Sequence, residues 1–284
     1  LIYGLGKSGI SSYKFLKDKA LVYLFDDNFK TNFISKRKLI NLKEISQIKF
    51  DKIIISPGID VTKCKLAKFL NKNSSKIYTD LDIFYSFYKN ESITITGTNG
   101  KSTTAKILFD VLFEQKKDVR LIGNIGNPVL SEKKITKKTI FVIEASSYQL
   151  EYSKIFSSKY AIMLNISADH IERHGSLKNY INAKFKLLDS QTKNCIAYVK
   201  KDDKFINQKL KLKKYNSKII KVNTKKNYNI FRRINNNYFF SDTNKENLSF
   251  IIEISKRLKL KNNLFLKTLQ KFKGLKYRQQ IIFR

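Results

Sequence analysis

The densest run of chemically capable residues is Thr96-Gly97-Thr98-Asn99-Gly100-Lys101-Ser102-Thr103. Its glycines let the backbone fold tightly enough to aim several N–H groups at one phosphate, and the helix opening near Thr103 adds its positive end. In that geometry Lys101 reaches the β- and γ-phosphates of a nucleotide and Ser102 ligates Mg2+. The match to a P-loop is not strict, because Ile95 stands where the first glycine would be. A glycine turn with an exposed lysine is the plain alternative. The alternating strand before the loop and the helix after it favour ATP.

A second glycine loop, Gly4-Leu5-Gly6-Lys7-Ser8-Gly9, follows the first strand-like segment and has the G-x-G-x-x-G pattern. Asp26 ends the next strand about twenty residues on, where a ribose-binding carboxylate would sit. A dinucleotide oxidoreductase would use the same loop, so the pattern speaks for a nucleotide diphosphate without saying which. Ser56-Pro57-Gly58 ends another strand and forms either a second wall of that crevice or a simple strand-to-loop turn.

Glu144 ends a hydrophobic strand, and Asp169-His170 follows another. Ligands of open α/β sheets bind at the carboxyl ends of the strands, so Glu144 and His170 are placed to converge on one cation. In the helix Leu177–Asp189, residues Leu177, Tyr180, Ile181, Phe185, Leu187 and Leu188 form one apolar arc, with Lys184 in its middle. An inward lysine is paired, neutral, modified or snorkelling to water. A desolvated lysine of depressed pKa can react with CO2 to give a carbamate, an anionic metal ligand.

The elements that must position these groups alternate between short apolar runs and amphipathic segments, the pattern of a parallel sheet flanked by helices. Candidate strands are Leu1–Tyr3, Leu21–Phe25, Lys52–Ile55, Ser92–Thr96, Thr139–Ile143, Tyr160–Asn165 and Cys195–Val199, with helical patterns such as Thr103–Lys116 between them. The fold class is α/β: a Rossmann-like first domain over residues 1–89, then a P-loop-type ATPase domain with a mostly parallel sheet over 90–273. The second boundary follows an amphipathic helix around Leu248–Leu258. Lys200–Asn247 is rich in Lys and Asn and yields little beyond short strands.

The composition is globular, with 42% hydrophobic and 13% aromatic residues. No apolar run of about eighteen residues marks a membrane span. Cys64 and Cys195 are far apart and read as reduced thiols of a cytoplasmic protein. A net charge of +34 invites a nucleic-acid reading. Most of the cations are lysines spread over the whole length, whereas base and phosphate forks favour arginine, so a solvated lysine surface is expected and no nucleic-acid partner.

Taken in order, several segments resemble the Mur ligase family. They are Gly4–Gly9, Ser56–Gly58, Thr96–Thr103, Gly123–Pro128, Glu144–Glu151, Asn165 through His170 to Arg173, Tyr180 through Lys184, and Gly274–Arg278. Glu144-Ala-Ser-Ser-Tyr-Gln-Leu-Glu151 is similar to the members that add D-glutamate; other Mur ligases and folylpolyglutamate synthases are the alternatives. The resemblance implies three domains and an ATP-dependent ligase of peptidoglycan precursors, monomeric and cytoplasmic, acting on UDP-N-acetylmuramoyl-L-alanine, D-glutamate and ATP. It implies that Gly97 through Thr103, with Asn247 and Arg278, hold ATP, and that Gly6, Lys7, Ser8, Asp26, Gly58, Asn124, Ser146 and His170 hold the UDP-substrate. Lys101, Glu144, His170 and carbamylated Lys184 would be catalytic. Ser102, Glu144, His170 and Lys184 would hold two Mg2+ ions. The family's paired asparagines near adenine correspond to Glu246-Asn247 followed by Phe250, so one remains; its His-Arg pair is Tyr277-Arg278. Leu1 falls inside a strand and residues 274–284 open a third domain, so a truncated, inactive fragment is expected.

Overall fold

Ten short strands, all parallel, build two sheets among residues 1–28, 38–226 and 229–275, the residues described by the structure, a computed structural model. The first sheet has the order β2-β1-β3-β4, from β1 (Ile2–Tyr3), β2 (Leu24–Phe25), β3 (Ile53–Ile55) and β4 (Ile77–Tyr78). The second runs β10-β9-β8-β5-β7-β6, from β5 (Ser92–Thr96), β6 (Val119–Gly123), β7 (Ile140–Glu144), β8 (Tyr160–Met163), β9 (Ile196–Lys200) and β10 (Lys218–Val222). Helices α1 (Lys7–Leu16), α2 (Leu42–Gln47) and α3 (Ala67–Lys72) cross over the first sheet, and α4 (Asp80–Phe87) leads to the second. There α5 (Lys101–Glu114), α6 (Ser147–Glu151), α7 (Ile171–His174), α8 (Leu177–Asp189) and α9 (Lys204–Lys211) follow, with α10 (Asp242–Arg257) and α11 (Asn262–Lys271) at the end.

The central strands are buried on both faces because helices cover both, as parallel sheets require. β5 alternates Ser-Ile-Thr-Ile-Thr, yet all five residues are buried. Two of its three polar side chains meet Ser158, whose hydroxyl contacts Ser92 Oγ at 3.1 Å and accepts from Thr94 Oγ1 at 2.8 Å, while the buried Thr96 hydroxyl has no partner among the described residues. The strands that sequence pattern overlooked are β4, with only two residues, and the edge strands β6 and β10. Edge strands keep one side in solvent, so Arg120, Lys218 and Lys221 interrupt their apolar runs. β2 is shorter than expected because Leu21 is 78% exposed and the chain reaches the sheet only at Leu24. α10 starts earlier than its apolar pattern, capped by Ser241, whose Oγ accepts from Asn244 N. α11, also overlooked, is tied to α5 by Gln115, which donates to Lys261 O and accepts from Lys261 N.

Both sheets share a core through α4. Phe84 meets Phe141 of β7 edge to face at 4.9 Å, and Asp82, fully buried, accepts from the backbone N–H groups of Lys154, Ile155 and Phe156. This joint holds the two sheets against each other. No helix among the described residues is long and apolar enough to cross a membrane.

Candidate active site

The phosphate loop leaves the end of β5 and is held from the far side by Asn165, just beyond β8. Asn165 O accepts from Thr98 N at 2.9 Å, its Oδ1 from Asn99 N at 2.8 Å, and its Nδ2 donates to Asn99 O at 3.2 Å. Gly100 caps α5 in the left-handed region (φ +84°), where a Cβ would lie 2.2 Å from Asn247 Oδ1. Only glycine fits there. Ser102 and Thr103 are buried in the first turn of α5, which carries no acidic residue. The positive helix end is thus left to an incoming anion. Lys101 Nζ donates to Thr98 O at 2.7 Å.

Glu144, at the end of β7, is 1% exposed. Its Oε1 accepts from Asn124 Nδ2 at 3.0 Å, while Oε2 is buried with no hydrogen-bond partner. A buried carboxylate oxygen left unsatisfied is costly, and it lies on a cleft of about 450 Å³ lined also by Thr98 to Lys101, Asn124, Ser146, Asp169, His170 and Lys184. Lys184 is buried, as the helical arc implied. Its Nζ donates to Gly97 O at 2.8 Å and lies 4.6 Å from the Tyr180 ring centre. Burial first, and the Lys101 charge second, pull its ammonium down to about pH 7 against the opposing pull of Asp169 and Glu144. His170 caps α7 with φ +53°, and its Nε2 stands 3.5 Å from Asp169 Oδ2. Tyr180 contacts Thr98 Oγ1 through its hydroxyl at 3.0 Å; burial pushes that phenol up to about 12.

The other glycine loop sits on the first sheet. A Cβ on Gly9 would lie 1.8 Å from Gly4 O, and Ser56 Oγ donates to the same carbonyl at 2.6 Å. Asp26 Oδ2 accepts from Leu5 N at 2.6 Å, so its carboxylate shapes the loop directly. Gly58 and Pro57 reach the main cleft, and Asp26 lines a shallower pocket beside Lys43 and Lys65.

The structure therefore brings Gly58, Thr98, Asn99, Gly100, Lys101, Asn124, Glu144, Ser146, His170 and Lys184 to one cleft. Gly97, Ser102, Thr103 and Asn247 stand behind it as parts of the phosphate loop and its supports, while Gly6, Lys7 and Ser8 open α1 on the neighbouring sheet. Arg278 lies outside the described residues. Site-lining residues that sequence reasoning did not select are Asp169, Ser147, Tyr148 and Tyr180; Asn244 was overlooked too, buried one turn before Asn247 with its amide donating to Tyr238 O at 2.7 Å. The i, i+3 spacing of the two asparagines was the available signal.

For a nucleotide the loop fits: a helix start without acidic residues, a left-handed glycine and a lysine stand together at the edge of the cleft. For a cation the fit rests on Glu144 Oε2, since no trio of His, Cys, Asp or Glu among the described residues could hold a metal by itself. Phosphate oxygens would have to complete such a site.

Known proteins point the same way. The Mur ligase middle domain model matches residues 95–265. The UDP-N-acetylmuramoylalanine–D-glutamate ligase of Rickettsia bellii is 30% identical over 99% of this chain and 68% of its own length. The UDP-N-acetylmuramate:L-alanyl-γ-D-glutamyl-meso-diaminopimelate ligase of Neisseria meningitides, at 12% identity, superposes with a TM-score of 0.64 over 97% of this chain and 98% of that one. The MurF ligase of Thermotoga maritima, solved in complex with ADP, gives 0.53 at 15% identity over 97% and 63%. With a phosphate loop at one switch point and a glycine-loop crevice at the next, this chain belongs to the Mur ligases, the ATP-dependent amide ligases of peptidoglycan synthesis.

Proposed function

We propose that the chain carries the UDP-substrate and ATP sites of the ligase that joins D-glutamate to UDP-N-acetylmuramoyl-L-alanine. The observation that carries this reading is the single cleft onto which Gly58 from the UDP side, Lys101 from the phosphate loop, and Asn124 and Glu144 between them all open. An L-alanyl carboxylate oxygen attacks the γ-phosphorus of ATP and ADP leaves. The D-glutamate amine then attacks the acyl carbon, phosphate departs, and the amine loses a proton. Phosphoryl transfer of this kind depends on positioning and charge neutralisation.

In this reading Gly97 through Thr103 hold the phosphates by backbone N–H groups, Lys101 draws the γ-phosphoryl charge, and Asn247 supports the loop under the nucleotide. Gly6, Lys7, Ser8, Asp26 and Gly58 hold the uridine diphosphate; Asn124, Ser146 and His170 orient the muramoyl end. Two Mg2+ ions would neutralise phosphoryl charge, held by Ser102, Glu144, His170 and the carbamate of Lys184. An amine with a pKa near 7 has the neutral fraction that carbamate formation needs. The protein would act as a cytoplasmic monomer.

The test is calorimetric titration of UDP-N-acetylmuramoyl-L-alanine, with NAD as control. Binding that weakens about tenfold in Asn124→Ala, the size of one hydrogen bond, supports the assignment. A folded chain that ignores this substrate, or that prefers NAD, overturns it.

A further inference from the structure

Asp80 opens α4, the helix joining the two sheets, and is 2% exposed. The hydrogen-bond donors its carboxylate meets are neutral. It accepts from Leu81 N at 2.9 Å and from Gln149 Nε2 at 3.4 and 3.5 Å, and the Ser8 hydroxyl beside it favours its charged form. Ser8 belongs to the glycine loop of the first sheet. Gln149 belongs to α6 of the second sheet, where its Oε1 faces Ser146 N and Oγ in a capping box and Ser146 lines the main cleft. Burial pushes the Asp80 carboxyl up, with the Asp82 charge adding to it. A buried acid between two substrate walls, with a second buried carboxylate, Asp82, two residues on, is a poor choice for stability alone, because removing a charge from water without a cation is expensive.

We infer that Asp80 is a positioning residue that holds the Ser8 loop and the Ser146–Gln149 cap in register, so that a substrate spanning both walls meets a preformed cleft. This rests on the proposed assignment of Ser8 and Ser146 to the UDP-substrate. The phosphate loop is anchored elsewhere, through the Asn165 backbone and amide, so ADP affinity should not depend on Asp80.

The unaltered chain, titrated with UDP-N-acetylmuramoyl-L-alanine and with ADP, is the reference for the test. Asp80→Asn keeps the shape but replaces one acceptor with a donor facing the Gln149 amide. It should weaken the UDP-substrate about tenfold, the size of a hydrogen bond to a charged group, and leave ADP affinity within about twofold. Combining it with Gln149→Glu restores a carboxylate–amide pair of reversed polarity while preserving the capping box, and should recover most of the lost substrate affinity. Equal losses of substrate and ADP in Asp80→Asn, or no loss of either, overturn the inference, as does a failed recovery in the folded double variant. If the unaltered chain binds ADP but not the UDP-substrate, the assignment of the substrate fails, and this inference with it.

Discussion

Gly100→Ala is the sharpest perturbation the phosphate loop offers. At φ +84° an alanine carries left-handed strain of about 1–2 kcal/mol. Its Cβ would also lie 2.2, 2.7 and 2.8 Å from three atoms of the Asn247 amide, which is buried at 3% exposure on α10. Moving a buried amide to where its polar atoms go unpaired costs about 1–3 kcal/mol more. The loop can escape both by opening, but opening destroys the N–H cradle. The combined cost of about 2–5 kcal/mol should therefore appear as an ADP affinity at least about 30-fold lower, or as lost stability where the loop stays closed. Gly100→Ala with Asn247→Ala removes the collision and keeps the strain, so it should regain part of any affinity lost, Asn247's own contacts aside. Calorimetry with ADP and thermal unfolding in parallel read both channels. A single variant with native ADP affinity and native melting temperature would refute the idea that Asn247 clamps this glycine.

Three further outcomes follow from the same geometry. Glu144→Gln keeps an acceptor for Asn124 but removes the charge behind the unpartnered Oε2, so ADP should still bind without Mg2+ while the Mg2+-dependent gain in affinity shrinks by about tenfold or more; an unchanged gain removes Glu144 from the metal site. His174 is buried against Ser147 Oγ at 3.0 Å, and burial, then the Arg173 charge, hold it down at about 4. An unfolded histidine binds its proton near 6.5, so stability should fall as pH drops from about 6.5 towards 4; in His174→Gln that fall should be smaller in melting curves. In 13C-bicarbonate, a carbamate carbon resonance should grow between pH 6 and 8 as Lys184 loses its proton, and be missing in Lys184→Met; a signal surviving that substitution assigns the carbamate elsewhere.

Much of this site was legible because its residues act through their own position in the chain. Gly100 and Lys101 announce a loop by spacing, and Lys184 declares itself by standing inside an apolar arc of period 3.6. Residues whose role depends on who approaches them were not legible. Asn165 matters because it reaches across from β8 to the phosphate loop, and Tyr180 because its hydroxyl meets Thr98. Asp80 and Asp82 look like ordinary first-turn acids of α4, a favourable place for them, and only the packed structure shows one binding α6 and the other the 153–156 segment. The edge strands were hidden for a different reason: their solvent side accepts lysine, which erases the pattern of a buried parallel strand.

The contact between Lys184 and Gly97 ties the chemistry of one residue to the shape of the phosphate loop. Gly97 O needs only one N–H, at 2.8 Å from Nζ. An ammonium has three protons, a neutral amine two, and a carbamate nitrogen still one. The same anchor can therefore persist through deprotonation and reaction with CO2, and the new carboxylate would project from a fixed nitrogen into a cleft that already holds Glu144, Asp169 and His170. A lysine that reached the cleft from an exposed position would lack both conditions: its pKa would stay near 10.4 and its carbamate would wander. Burial inside α8 thus supplies the depressed pKa and the orientation together. On the proposed carbamate, that would account for a charged residue on the apolar face of α8.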